Sequence, residues 1–311
     1  MQVSVPGNLL LLGEYAVLEP GGLGLAAAVE PRVTVEAEPD STLSLTGTWS
    51  GGRDLFWSEE RPQSSPLAVE AVAACRAHLR SLGKRVAGAR IHVDSRPLYL
   101  EGRKGGLGSS AAIAVGLVWI LLTLSGEAPQ PRTASRLALE AHRRAQGGRG
   151  SGYDVLASSF GGVGLFTGGP RPDWQPLRLD WLNPLFLVHG PQSVATAQAI
   201  ECYRQWRARE PKEAEAFLSG SNRCVLGFLR SRNRREAAAW LERSRELGLR
   251  LGERIGVRAA LEAPGPAARC VCKALGAGNE LGLVFPVSDL DPPDAGLRPL
   301  HIAAEGPRCS A

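Results

Sequence analysis

At 311 residues the chain is long enough to bury a full core and to form about two domains. A hydrophobic fraction of 44%, a charged fraction of 22% and a net charge of +5 exclude a disordered chain. No basic run is interleaved with aromatic residues, which argues against nucleic acid as a partner. The longest apolar stretch, Ala111 to Leu124, falls short of the roughly 20 residues of a membrane span. Gly13 and Glu14 interrupt the only early apolar run, so no secretory leader is expected. Six cysteines are scattered without a disulfide rhythm, as in a reducing compartment, and Cys270-Val-Cys272 lacks a second pair for zinc. The expected setting is cytoplasmic, with small-molecule partners, as a monomer or homodimer.

In chain order, Val3 to Leu12 is a predicted strand broken at Pro6-Gly7. Gly13 to Gly22 is a loop ending in turn chemistry. Gly24 to Val29 and Val33 to Glu38 are the next strands, and Leu43–Thr48 and Asp54–Trp57 are short hairpin arms. Leu67 to Leu82 has helical spacing, and Ala89 to Asp94 is a strand. A glycine loop then enters a helix that is apolar on nearly every side and hence central. Thr133 to Gln146 is a helix capped near Pro131 or Thr133, and a second glycine loop runs from Gly147 to Asp154. Gly161–Thr167 and Leu177–Leu179 are strands separated by the turn Gly168 to Pro172. The pattern restarts with strand Leu185–His189 and helices from Ala195, over Ala214–Ser231 and over Arg235–Gly248. A third glycine segment, Lys273 to Gly282, leads into strand Leu283–Phe285, and Pro299–Ala304 closes the chain. The expected class is α+β, in two sequential lobes.

The most informative stretch is Lys104-Gly-Gly-Leu-Gly-Ser-Ser-Ala-Ala112. Glycines let backbone approach an anion, and the following helix offers unpaired N–H groups and the positive end of its dipole. Together these make a phosphate site. Ser109 and Ser110 can cap the helix or reach a metal ion or phosphate oxygen. A GxxxxGK[ST] loop would need its lysine where Gly108 stands. A dinucleotide GxGxxA fingerprint formally fits from Gly106 to Ala111, yet the acidic strand end expected roughly 20 residues on is missing. A plain capped helix remains the third reading of these residues. Only four lysines occur, and two, Lys104 and Lys273, flank glycine-rich segments.

Three glycine-rich segments in this order resemble the GHMP kinase superfamily. Pro6 to Val17 looks like its first motif, Gly105 to Ala112 its second, and Gly276 to Gly282 a shortened third. The resemblance covers nearly the whole chain and implies the GHMP kinase fold. It places a ribosomal-S5-like nucleotide-binding lobe at 1–182 and a ferredoxin-like lobe at 183–311. Within the superfamily the likeness is greatest to the phosphomevalonate kinase branch, through Gly13 to Gly22, Lys104, and Ala141 to Asp154. Mevalonate kinases carry a glutamate metal ligand near the position of His142.

The resemblance implies ATP and magnesium as cofactors and transfer of the γ-phosphate to phosphomevalonate; mevalonate or another alcohol, or loss of catalysis, are the alternatives. Gly105, Gly106, Leu107, Gly108, Ser109, Ser110 and Ala111 would hold the nucleotide, with Ser109 or Ser110 as the magnesium ligand. Lys104 would face the β- and γ-phosphates as a flexible point charge. Asp154 stands in the place of the catalytic aspartate. Glu14, Tyr15, Arg149, Ser151, Gly276 and Ala277 would contact the acceptor, Arg149 as a bidentate fork. Position 8 is a departure: Asn8 replaces the lysine of Pro-Gly-Lys and can hydrogen-bond a phosphate without neutralising it. Asn279-Glu280 is another, placing a glutamate where the family has glycines before an aspartate.

Overall fold

A computed structural model describes residues 1–48, 55–59, 61, 65–100, 103–191, 196–261, 269–288 and 297–310, with backbone alone at 55, 56, 100, 103 and 104. The chain runs through β1 (Gln2–Leu12), β2 (Leu23–Pro39), β3 (Leu43–Thr48), β4 (Leu55–Ser58), α1 (Pro66–Ser81) and β5 (Ala89–Asp94). Next come β6 (Tyr99–Leu100), β7 (Arg103–Lys104), α2 (Ser109–Leu124), α3 (Pro131–Ala145) and α4 (Tyr153–Phe160). Then follow β8 (Val163–Thr167), β9 (Asp173–Leu177), β10 (Leu185–His189), α5 (Thr196–Arg209), α6 (Pro211–Arg230) and α7 (Arg234–Ile255). The last strands are β11 (Cys270–Leu275), β12 (Leu281–Pro286), β13 (Arg298–Leu300) and β14 (Arg308–Ser310). The predicted α+β class holds.

Two compact units share this chain. One comprises Met1–Leu9, Ala27–Gly162 and Ile302–Ala311; the other comprises Leu10–Ala26 and Val163–His301. The units interleave, whereas the sequence reading divides the chain once, between 182 and 183. The division falls inside β1 and β2, which no composition shift marks.

In the first unit, β14, β1, β2, β5, β3 and β4 are neighbours in that order. β3 and β5 are parallel, while β2–β5 and β3–β4 are antiparallel. The alternating burial of β5 (Ala89, Ile91 and Val93 inward) leaves one face for helices. α2 packs there among α1, α3 and α4, buried from Ala111 to Leu122. Gly116 lets it press onto the sheet, since a Cβ there would lie 2.6 Å from the Val35 methyl. An apolar surface all round suits an inner helix rather than an amphipathic one.

β1 is continuous through Pro6-Gly7, contrary to the expected break. A Cβ on Gly7 would stand 2.8 Å from the Leu107 carbonyl oxygen, so this glycine serves close approach of another loop rather than a turn. Likewise β2 runs through Glu30 and Pro31 as one strand where two were expected.

The second unit holds an antiparallel sheet in the order β11-β12-β10-β13, the hairpin β8–β9, and helices α5, α6 and α7. Tyr203, Trp206, Ala214, Leu251 and Ile255 form a core cluster among its helices. α7 passes the expected stop at Gly248 and ends at Gly256, whose φ of 70° gives the left-handed cap. Gly248 is helical simply because an interior glycine costs about 1 kcal/mol, which the packing of α7 outweighs. Lys273, expected in a glycine loop, lies within β11. Cys270 and Cys272 share that strand as buried residues, and burial pushes the Cys272 thiol up to about 11.

Candidate active site

The loop before α2 is tied down from two sides. Gly105 N donates to Leu98 O at 3.2 Å, and Asn8 N donates to Leu107 O at 2.9 Å. Gly106 and Gly108 take φ of 65° and 69°, conformations that let the chain reverse into the helix. Gly108 is the N-cap, and no side chain caps α2, so the capping role expected of the serines is not realised. The first N–H groups of α2 therefore lack the usual side-chain acceptor, which suits them to an anion.

The serines differ in their surroundings. Ser109 is buried beside the Tyr99 phenol, whose pKa burial raises and the neighbouring serine hydroxyl partly lowers. Ser110 is only partly buried, and its Oγ lies 3.2 Å from His142 Nε2. The backbone of Lys104 pairs with Tyr99 in a short ladder. Its side chain lies outside the described residues.

Asn8, 1% exposed, donates from Nδ2 to Gly108 O (3.2 Å) and to Ser158 Oγ (3.0 Å); the Ser158 hydroxyl donates in turn to Pro6 O at 2.8 Å. Both amide hydrogens are thus spent inside the protein. Asn8 braces the loop against α4 and has no donor left for a phosphate. Ser158 escaped the sequence reading because nothing in its local pattern separates it from other core serines.

Asp154 sits in the first turn of α4, which Gly152 opens with φ of 96°. Its Oδ1 accepts from Val155 N at 2.9 Å, and a carboxylate there is favoured by the helix dipole. Its Oδ2 lies 3.8 Å from Nδ1 of His142, a buried residue of α3. Arg143, next on α3, wraps the glycine loop: Nε donates to Gly150 O (3.2 Å) and Nη2 to Ser151 O (2.6 Å). Burial lowers the Arg143 guanidinium, and the charge of Asp154 opposes that shift. Arg149 is exposed on the same loop. Arg143 rather than Arg149 sets the loop's shape, and an i, i+8 arginine-to-carbonyl contact has no sequence signature.

In the second unit, Glu14, Tyr15, Gly276 and Ala277 come together beside Lys273. The side chains of Lys273 and Glu14, 4% and 14% exposed, form an ion pair. Burial raises the Glu14 carboxyl, opposed by the lysine's charge and hydrogen bond. Tyr15 adopts φ of 61°, rare for a residue with a Cβ, and its hydroxyl donates to Ala277 O at 2.6 Å. Gly276, with φ of 72°, turns the chain there. Asn279 is buried, donating from Nδ2 to Ala260 O at 3.2 Å. Glu14, Tyr15, Lys273, Gly276, Ala277 and Arg245 line one recess.

A magnesium ion bound to a nucleotide keeps several waters and leans on phosphate oxygens, so it needs few protein ligands. Among the described residues no three His, Cys, Asp or Glu gather as a cluster, while the partly open Ser110 hydroxyl offers one hard oxygen. That set fits a nucleotide-borne ion better than a resident one.

Residues 67–162 match the GHMP kinases N terminal domain family. A phosphomevalonate kinase of Streptomyces sp. (strain CL190) is 30% identical over 176 residues, spanning 50% of this chain and 46% of that protein. A mevalonate kinase of Archaeoglobus fulgidus is 27% identical over 220 residues, 70% of this chain and 68% of its own. The chain spans about half the length of the curated phosphomevalonate kinases it matches. Among solved structures, Streptococcus pneumoniae phosphomevalonate kinase in complex with phosphomevalonate and AMPPNP superposes with a TM-score of 0.79 at 19% identity, covering 93% of both chains. Loop, helix start and aspartate thus lie in a chain with the GHMP kinase fold, within the residues, 67–162, that match the GHMP kinases N terminal domain.

Proposed function

We propose that this protein is an ATP-dependent phosphotransferase of the GHMP kinase type, acting on phosphomevalonate. The observation that carries this reading is the open start of α2: a left-handed glycine cap, no side-chain acceptor for the first N–H groups, and Ser110 beside them. Residues 105–111 would cradle the triphosphate through backbone amides. Ser110, rather than the enclosed Ser109, would be the magnesium ligand. Magnesium, when bound, would neutralise charge on the β- and γ-phosphates.

Phosphoryl transfer asks a protein mainly to position two substrates and to balance charge. Lys104 remains our candidate for the cation at the phosphates, and Arg149 for the acceptor's phosphate. Asp154 follows Arg149 by five residues, at the start of α4. With an alcohol acceptor it would take the hydroxyl proton. A phosphate monoester has its second pKa at about 6 and arrives largely ionised, so it needs that help only in its protonated fraction. Phosphomevalonate is favoured by the Streptomyces relative and the phosphomevalonate-bound structural neighbour. Mevalonate is the second reading, favoured by the longer match to the Archaeoglobus protein.

ADP release measured with phosphomevalonate, mevalonate and homoserine tests the assignment. Turnover highest on phosphomevalonate is expected. Binding of Mg·AMPPNP with no turnover on any of the three acceptors would replace the kinase by a nucleotide-binding protein.

A further inference from the structure

We propose that His142 is a positioning residue that couples Ser110, at the start of α2, to Asp154, in the first turn of α4. The inference rests on the reading of Asp154 as a residue of the transfer step and goes beyond it. His142 is 1% exposed, and its two ring nitrogens face two different elements of the site. Nε2 lies 3.2 Å from Ser110 Oγ and 3.0 Å from Gln146 Nε2, one helical turn further along α3.

An amide nitrogen only donates, so the imidazole Nε2 accepts and the ring's proton resides on Nδ1. Nδ1 has no hydrogen-bond partner and faces Asp154 Oδ2 at 3.8 Å. A buried donor left unpaired costs about 1–3 kcal/mol, so the ring favours any movement that brings that oxygen closer. Oδ1 is already held by Val155 N, which leaves Oδ2 as the oxygen to be drawn in. With the proton on Nδ1, the Ser110 hydroxyl 3.2 Å away shares the single Nε2 lone pair with the Gln146 amide as a three-centre contact. This leaves the oxygen lone pairs of Ser110 directed away from the ring. One imidazole therefore orients both a hydroxyl that can meet a cation and the carboxylate assigned to transfer. Catalytic contacts that are long in a free protein can close to hydrogen bonds in its substrate complexes.

Two substitutions separate the ring's two ends. In His142→Asn the amide nitrogen takes the place of Nδ1; in His142→Gln the side chain reaches the place of Nε2. Turnover would be read as ADP release from Mg·ATP with phosphomevalonate, and with mevalonate, with thermal unfolding to confirm folded protein. We expect His142→Ala and His142→Gln to lower kcat roughly 10- to 100-fold, the range for removing a group that orients a working residue, with KM for ATP little changed. His142→Asn should keep most of the rate. In an Asp154→Ala background, His142→Ala should cost clearly less than it does in the otherwise wild-type protein, because one of its two partners is gone. Nitrogen-15 shifts of the His142 ring should report the Nδ1-protonated tautomer.

Equal rates for the Asn and Gln variants, multiplicative losses in the double variant, or an Nε2-protonated ring would overturn the inference while leaving Asp154 in place. A wild-type rate in Asp154→Ala with mevalonate as acceptor would overturn both readings together. Should His142→Ala fail to fold, the Asn and Gln pair and the ring signals still decide the matter.

Discussion

The phosphate-loop region of the first unit and the Glu14–Lys273 corner of the second are built on opposite plans. Around residues 105–110 the polar groups brace one another and leave a row of N–H groups and the oxygen lone pairs of Ser110 unspent. Around Glu14 the charges are spent on each other. Lys273 and Glu14 neutralise one another, and the Tyr15 hydroxyl is committed to Ala277 O. Both regions carry lysine and glycine in the sequence, yet only the first has capacity left for an anion. A charged residue beside glycines is therefore no guide to binding until its partners are known.

The largest expected break in this contrast is Asp154→Asn. With mevalonate as acceptor, kcat should fall about 10²- to 10⁴-fold, the range for losing a positioned base. With phosphomevalonate the loss should shrink as pH rises through about 6, where the second ionisation of a phosphate monoester supplies the nucleophile. A pH–rate profile on both acceptors checks this, and a loss independent of pH with phosphomevalonate would contradict it.

Next is Lys273→Met, which leaves a buried carboxylate without its counter-charge. It should cost about 3–5 kcal/mol in denaturant unfolding near neutral pH. Burial already raises Glu14, so the folded protein holds that proton more tightly than the unfolded chain does. The contribution of Glu14 to stability is then greatest below the ordinary carboxylate range and is lost as pH rises through its folded value. Without the lysine the rise is larger, so the variant should lose more at pH 8 than at pH 5. Equal losses at both would mean that Glu14 is not paying for burial.

Asn8→Lys would restore the residue seen in related first motifs. Here it removes two hydrogen bonds from a side chain that is 1% exposed. Leaving the Ser158 and Gly108 partners unsatisfied should cost at least about 1–3 kcal/mol, and turnover should fall rather than rise. A faster enzyme would show that the pocket can turn a lysine toward the phosphates. The smallest effect is expected from Gly147→Ala: its φ of 63° carries a strain of about 1–2 kcal/mol, but nothing lies within 4 Å of the added Cβ. Gly108→Ala carries the same strain and a contact of 2.1 Å with the Asn8 amide, so it should lose nucleotide affinity as well. Comparing the two by thermal unfolding and Mg·AMPPNP titration isolates the clash.

Much of the fold was legible. β5 and β10 match their predicted bounds, and α1, α2 and α6 lie within a few residues of theirs, because each has a strong apolar period or a clear stop. The glycine loop could be read as a phosphate site because glycine freedom and a helix start are short-range features, whereas the choice between Ser109 and Ser110 stayed open and Asp154 entered through the family resemblance. Ser158 and Arg143 were not legible, since Ser158 acts through a neighbour distant in sequence and Arg143 through backbone carbonyls that any residue offers. The role of Asn8 was legible as a departure but not as a brace.

Local sequence by itself determined most of the segments that become helix and strand, and where a phosphate could meet bare backbone amides. Those outcomes depend on side-chain period, glycine freedom and helix ends, all short-range properties. Only the tertiary structure decided which polar groups remain available. Burial and pairing of Lys273 with Glu14, of Asn8 with Ser158, and of His142 with Ser110 are settled by residues 32 to 259 positions apart. A hydrogen bond or charge can be spent once, and the sequence does not say on what.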